Sequence, residues 1–200
     1  MVECMMDKLV IERGAINVDH LKETTIKKEK LFTGRVIDLY LEEVQLPNGK
    51  TSTREIIKHP GAVAVIAVTD EGKLVLVRQY RKAMEKALVE IPAGKLEKGE
   101  SPEVTALREL QEETGYTCES LTKVISFYTS PGFADELVHV FIANGLKKDT
   151  EEHSLDEDEI VDLMEVTLEE ALQLMEKEEI HDAKTAFAVQ YLQLEKVIRK

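Results

Sequence analysis

The spacing of apolar and polar residues changes several times along this chain, and each change marks an element. "GRVIDLYLEEVQL" (34–46) alternates as a half-buried strand does. "PNGK" then supplies Asn-Gly turn chemistry, and "TSTREIIKH" (51–59) returns as the second arm of a hairpin. "GAVAVIAVTDEGKLVLVRQY" (61–80) holds two near-continuous apolar runs, as strands buried on both faces do, joined at Asp70-Glu71-Gly72. "TKVISFYTSPGFADELVHVFIANGL" (122–146) predicts two more strands around a Ser-Pro-Gly turn, and "DEIVDLMEV" (158–166) a short final one. Two helices close the chain, Leu168–Glu178 and Asp182 to the end. In the second, Ala183, Phe187, Tyr191, Leu194 and Ile198 keep helical spacing as a packing stripe. Residues before the first strand read as a polar lead.

A further helix is predicted over Pro102–Thr114. Ser101 is a good N-cap, Pro102 suits the first helical position, and Gly115 is a natural stop. At about 100° per residue, Val104, Leu107 and Leu110 share one face, which is expected to meet the core. Glu109, Glu112 and Glu113 then fall opposite, at i, i+3 and i+4. Like charges at that spacing cost a few tenths of a kcal/mol without a counterion. A hard divalent cation removes the cost, because carboxylate oxygens are what Mg²⁺ and Mn²⁺ prefer. Pro92-Ala93-Gly94 and Gly99 allow the preceding loop to turn sharply and bring a carbonyl near the helix.

Composition narrows the class. With 43% hydrophobic and 32% charged residues, the 200-residue chain reads as globular. A net charge of −13 argues against a general nucleic-acid binder. Cys4 and Cys118 are too few for a disulfide framework and wrongly spaced for a zinc site, which points to a reducing compartment. The opening "MVECMMDKLVIERG" has no apolar core of a signal peptide, and "AVAVIAV" is too short to span a bilayer. A cytoplasmic location is expected, with neither a nucleic-acid nor a membrane partner.

The stretch Gly94–Tyr116, "GKLEKGESPEVTALRELQEETGY", resembles the Nudix box, Gly-x5-Glu-x7-Arg-Glu-U-x-Glu-Glu-x-Gly-U, where U is a bulky apolar residue. Gly94, Glu100, Arg108, Glu109, Leu110, Glu112, Glu113, Gly115 and Tyr116 fill every specified position. The resemblance implies an α/β fold, an α/β/α sandwich around a mixed sheet, in a Mg²⁺- or Mn²⁺-dependent hydrolase of nucleoside diphosphate derivatives. It implies Glu109 and Glu113 as main metal ligands, with Glu113 also catalytic, helped by Glu112 and the backbone of Ala93. Arg108 and Glu100 would form a structural ion pair. The chemistry suits the motif: splitting a pyrophosphate needs its charge neutralised and a water made nucleophilic, and clustered metals do both.

Outside the box, three features resemble the ADP-ribose pyrophosphatase subgroup. Pro131 lies 15 residues past the box in "SFYTSPGFADE"; "TREII" and "VRQYRKA" precede it; Glu136 follows. The resemblance implies substrate contacts at Arg54, Glu55, Arg81, Gly132 and Glu136. The acidic run 147–159, "KKDTEEHSLDEDE", reads on its own as a solvated loop. By resemblance, Glu157 would be the general base and Glu159 a further metal ligand. Residues 1–57 would form a β extension exchanged within a homodimer, and 58–200 the Nudix domain. A two-stranded hairpin is marginal alone, which fits such pairing. The remaining alternatives are nucleotide-sugar or NADH hydrolysis, a non-catalytic Nudix-like ligand sensor, and an acidic metal-buffering protein.

Overall fold

The computed structural model describes residues 18–150 and 160–198. After a short 3₁₀ turn, Asp19–Leu21, an antiparallel sheet forms from β1 (Thr24–Thr33), β2 (Asp38–Gln45) and β3 (Thr51–Lys58), in that order. β1 corrects the polar-lead expectation. Every residue of this edge strand is exposed, so it has no apolar alternation to betray it. It is held instead by its ladder to β2 and by cross-strand ion pairs, Lys28–Glu42 at 2.7 Å and Lys30–Asp38 at 2.8 Å.

The chain then runs through β4 (Ala62–Ile66), β5 (Leu74–Arg81), β6 (Lys86–Glu90), β7 (Ala93–Lys95), α1 (Pro102–Thr114), β8 (Tyr116–Thr117) and β9 (Ser120–Tyr128). It continues through β10 (Leu137–Asn144), β11 (Lys147–Lys148), β12 (Val161–Val166), α2 (Leu168–Glu176) and α3 (Ala183–Ile198). One sheet has the order β7-β4-β10-β9 and is mixed, since β4 and β10 run parallel. The other, β12-β5-β6, is antiparallel. The two are linked where Val75 N–H donates to Ala67 O at 2.9 Å.

The apolar run of β4 serves two cores. Val63, Val65 and Ala67 pack with Ala106 and Leu110 of α1, while Ala64 and Ile66 pack with Ala171 of α2 and Ala188 and Val189 of α3. Each fully buried Val or Ile is worth about 1.5–3 kcal/mol, so a strand sandwiched this way has little freedom to slip. The α/β/α sandwich around a mixed sheet follows. No helix among the described residues is long and apolar enough to cross a membrane. In α3 the buried stripe is Thr185, Ala188 and Val189, with Phe187 and Tyr191 packed beside it. Ala183 and Leu194, expected in that stripe, are exposed.

Among the described residues, the N-terminal sheet is hydrogen-bonded to the sandwich through the end of β3. Ile57 N–H donates to Phe133 O at 2.8 Å and Asp135 N–H to Ile57 O at 3.2 Å. Asp135 also accepts from His59 N–H and Lys58 Nζ, at 2.9 and 2.8 Å. The loop containing Pro131 is thereby fixed to the end of β3, and that sets where Glu136 stands.

Candidate active site

Helix α1 begins and ends where the capping residues predict. Ser101 Oγ accepts from Val104 N–H at 3.4 Å, and Gly115 closes the helix in the left-handed region at φ 65°. Its faces, however, are rotated from expectation. Val104 is 55% exposed, whereas Glu109 and Glu113 are buried beside Ala106 and Leu110. Hydrophobicity alone assigned the faces wrongly, because these carboxylates have partners inside. Glu113 Oε2 accepts from Ala93 N–H at 2.9 Å. Glu109 lies so close under Gly94 that a Cβ there would be 1.9 Å from its Cδ. The glycine that opens the motif is thus the space that the second carboxylate occupies.

Arg108 is the local counterion. It reaches Glu112 at 2.7 Å, Glu109 at 3.0 Å, Glu100 at 3.5 Å and Glu97 at 3.9 Å. Burial pulls its pKa down, but the carboxylates of Glu109, Glu112 and Glu100 outweigh that and raise it. Thr105 Oγ1 donates to Glu100 at 2.9 Å, so the loop before the helix is tied at two points. The expected Arg108–Glu100 pair is one contact of this larger cluster.

Beside Ala93 and Gly94 opens a cleft of about 700 Å³, lined also by Arg81, Glu90, Lys184, Asp182, His59 and Glu136. Arg81 grips Glu90 with two parallel bonds, Nε at 2.6 Å and Nη2 at 2.8 Å. Lys184 Nζ donates to the same carboxylate and, at 2.9 Å, to Asp182. Glu90 is only 2% exposed. Burial pushes its pKa up, yet Arg81 and Lys184 overcome this and hold it at about 2. Arg81 is raised in turn, chiefly by its bonds to Glu90, with Glu113 also contributing. Glu136 accepts from Thr129 Oγ1 at 2.5 Å, with His59 Nδ1 3.8 Å away.

The structure therefore places Ala93, Arg81 and Glu136 in the lining of one cleft, while Glu109 and Glu113 are not part of that lining but lie against Gly94 and Ala93, which are. Glu112 is turned toward Arg108. Arg54 and Glu55 do not line this cleft; Arg54 pairs with Glu23 across the N-terminal sheet at 2.5 Å. Gly132 lies in the exposed turn before Glu136 and does not line it either. Glu157 and Glu159 lie outside the described residues. Sequence reasoning missed Glu90 and Lys184. A lone acid in the apolar run "LVEI" (88–91), and a lysine in the first turn of a helix, were the available signals.

The donor set fits a hard divalent cation. Glu109 and Glu113 bring buried carboxylates to two adjoining residues, Gly94 and Ala93, and carboxylate oxygens are what such a cation prefers. No three His, Cys, Asp or Glu side chains among the described residues are already gathered for an ion.

The NUDIX domain model matches residues 58–188. An ADP-ribose pyrophosphatase of Bacillus subtilis (strain 168) is 66% identical over 179 residues, which is 90% of this chain and 97% of that protein. A methanol dehydrogenase activator of Bacillus methanolicus is 61% identical over 178 residues, 89% of this chain and 96% of the relative. The crystal structure of an ADP compounds hydrolase matches with TM-score 0.75 at 22% identity, covering 86% of this chain and 92% of its own, and speaks for the fold.

Proposed function

The chain belongs to the NUDIX family, and on that premise we propose that it hydrolyses the pyrophosphate of ADP-ribose to AMP and ribose 5-phosphate, with Mg²⁺ or Mn²⁺ as cofactor. The observation that carries this reading is the pair of buried carboxylates, Glu109 and Glu113, set against Ala93 and Gly94 at the wall of the cleft. Near-full-length identity of 66% to an ADP-ribose pyrophosphatase supports the choice of substrate.

Glu109, Glu113, Glu112, Glu159 and the Ala93 backbone would hold the cation. When bound, it supplies charge neutralisation on the phosphates and a more acidic water. Arg81, already oriented by Glu90, presents its guanidinium to the phosphates. Glu136 suits the hydroxyls of the terminal ribose, with Gly132 in the turn that sets its approach. Glu157 would take the proton of the attacking water. The segment that carries it follows Asp149, which is bonded to Gln111 and Gly115 at the end of α1.

Arg54 and Glu55 belong to the second half of the reading, a cytoplasmic homodimer. Ile26, Leu31 and Phe32 of β1 are each at least half exposed, an apolar surface that a second copy would cover. The N-terminal extension, residues 1–57, would then carry Arg54 and Glu55 to the partner's cleft, against the 58–200 unit. Complementation tests this: Arg54→Ala and Glu113→Gln, each inactive alone, should regain activity on mixing and subunit exchange. A monomer by sedimentation, or no recovery after exchange, rejects the shared site.

The substrate is tested by release of AMP from ADP-ribose with Mg²⁺ or Mn²⁺, in a panel with nucleotide sugars and NADH. A higher kcat/KM for another member of the panel would replace ADP-ribose as the substrate.

A further inference from the structure

Two placements in the cleft are locally unfavourable. Glu90 is a carboxylate with 2% exposure at the end of β6, and taking such an ion out of water costs several kcal/mol unless it is paired. Lys184 stands in the first turn of the 16-residue helix α3, where the helix dipole disfavours a cation. Helix capping does not account for it, since Asp182 already accepts from Thr185 N–H at 3.3 Å. Anchorage does not require it either, because Thr185 Oγ1 accepts Ile91 N–H at 3.0 Å and ties α3 to the strand end. Each oddity is resolved by the other: Lys184 and Arg81 share the one carboxylate, and all three side chains line the cleft.

We infer that Glu90 is a positioning residue, and that Lys184 is a second substrate-contacting cation. With Arg81 it forms a two-point clamp for the diphosphate of a nucleoside diphosphate derivative. This rests on the substrate class proposed above. Glu90 fixes Arg81 through Nε and Nη2, while the Arg81 side chain as a whole remains 37% exposed and lines the cleft. It also draws the Lys184 ammonium across from α3, so that two cations from different elements converge before the ligand arrives. Such preorganisation spares the ligand the entropy of ordering two long side chains. Asp182 holds Lys184 from the other side, at 2.9 Å, and limits its swing.

The test is equilibrium binding of ADP-ribose in EDTA, where no turnover complicates the readout, followed by steady-state kinetics with Mg²⁺. Lys184→Met should weaken binding about 10- to 30-fold, the loss of one charge-assisted hydrogen bond, and raise KM more than it lowers kcat. Lys184→Arg should restore binding to within about threefold of wild type. Glu90→Gln should weaken binding similarly, and adding Lys184→Met to it should cost little more, because both changes disable the same clamp. If Glu90→Gln does not fold, the two Lys184 variants decide. Lys184→Met binding within twofold of wild type, with only a lower melting temperature, overturns the clamp and leaves a structural tie. A wild-type protein that neither binds nor hydrolyses ADP-ribose refutes the substrate reading itself, and the clamp with it.

Discussion

Gly94→Ala separates the active site from the fold. The new Cβ would lie 1.9 Å from Glu109 Cδ, and 2.0 and 2.4 Å from its oxygens. Carbon contacts settle at about 3.5–4.0 Å, so the carboxylate must retreat by about 1.5–2 Å. The atoms displaced are the far end of a flexible side chain, so the fold can yield, and overpacking of this kind costs about 1–3 kcal/mol. For a chain of this size that is a fall in Tm of roughly 2–12 °C. Catalysis has no such tolerance. Functional groups must hold their geometry to about 0.5 Å, and a misplacement near 1 Å costs about 10²-fold. Expected is a folded protein whose kcat/KM for ADP-ribose falls at least about 10²-fold, measured by AMP release at saturating Mg²⁺ beside a calorimetric Tm. Activity within about threefold of wild type in a folded Gly94→Ala protein would refute the reasoning, because Glu109 would then not be needed where Gly94 lets it sit.

Glu113→Gln should lower turnover by about 10²-fold or more while the fold survives, since the amide oxygen can still accept from Ala93 N–H. Mg²⁺ at about 100 times its Kd should stabilise the wild type by about 2.7 kcal/mol, and thermal melts should show most of that increment gone in Glu113→Gln. Glu90, with its pKa lowered from 4.5 to about 2, contributes stability that is complete above about pH 4.5 and lost as pH falls toward 2. Denaturant midpoints across that window should therefore fall less steeply for Glu90→Gln than for wild type. Glu157→Gln should lower kcat by about 10²–10⁴ with little change in KM, and Glu159→Gln should raise the Mg²⁺ needed for half-maximal rate. The reverse pattern would exchange the two roles.

The capping signals of α1 were legible because they act locally. Ser101, Pro102 and Gly115 fix both ends of the helix whatever surrounds it. The buried run of β4 was legible for the opposite reason, since apolar residues on both faces leave one solution, a strand between two layers. The orientation of α1 was not, because Glu109 and Glu113 are buried by contacts to Gly94 and Ala93 of β7, which precede them by 15 and 20 residues. β1 was missed for want of any buried residue. β6 and β7 were missed because they are short and meet at Ile91-Pro92, where a proline interrupts the pattern. Arg81 was assigned from motif resemblance, but its bidentate partner Glu90 could be found only where β5 and β6 lie side by side.

The overall charge of −13 raises a physical question for an enzyme that takes an anionic substrate. Charge acts over short distances at physiological salt, where the Debye length is about 8 Å. Acidic groups scattered over the surface are therefore mostly screened from a ligand in the cleft. At about 4 Å and an effective dielectric near 20, a single pair interacts by about 4 kcal/mol, so the nearest few side chains decide. Here those are Arg81, Lys184 and Lys95, against Glu90, Asp182 and Glu136. Glu90 is already held by both cations, and Asp182 is bonded to Lys184 and to the end of α3. The carboxylates of the cleft are thus engaged at close range with protein donors, whereas the bulk of Arg81's exposed surface meets solvent. A diphosphate entering the cleft replaces that solvent. The remaining repulsion would come from Glu109 and Glu113, and a divalent cation held by them would offset it. On this account the acidic composition does not oppose binding, which Arg81 and Lys184 support without the metal; the metal would be needed for the chemical step.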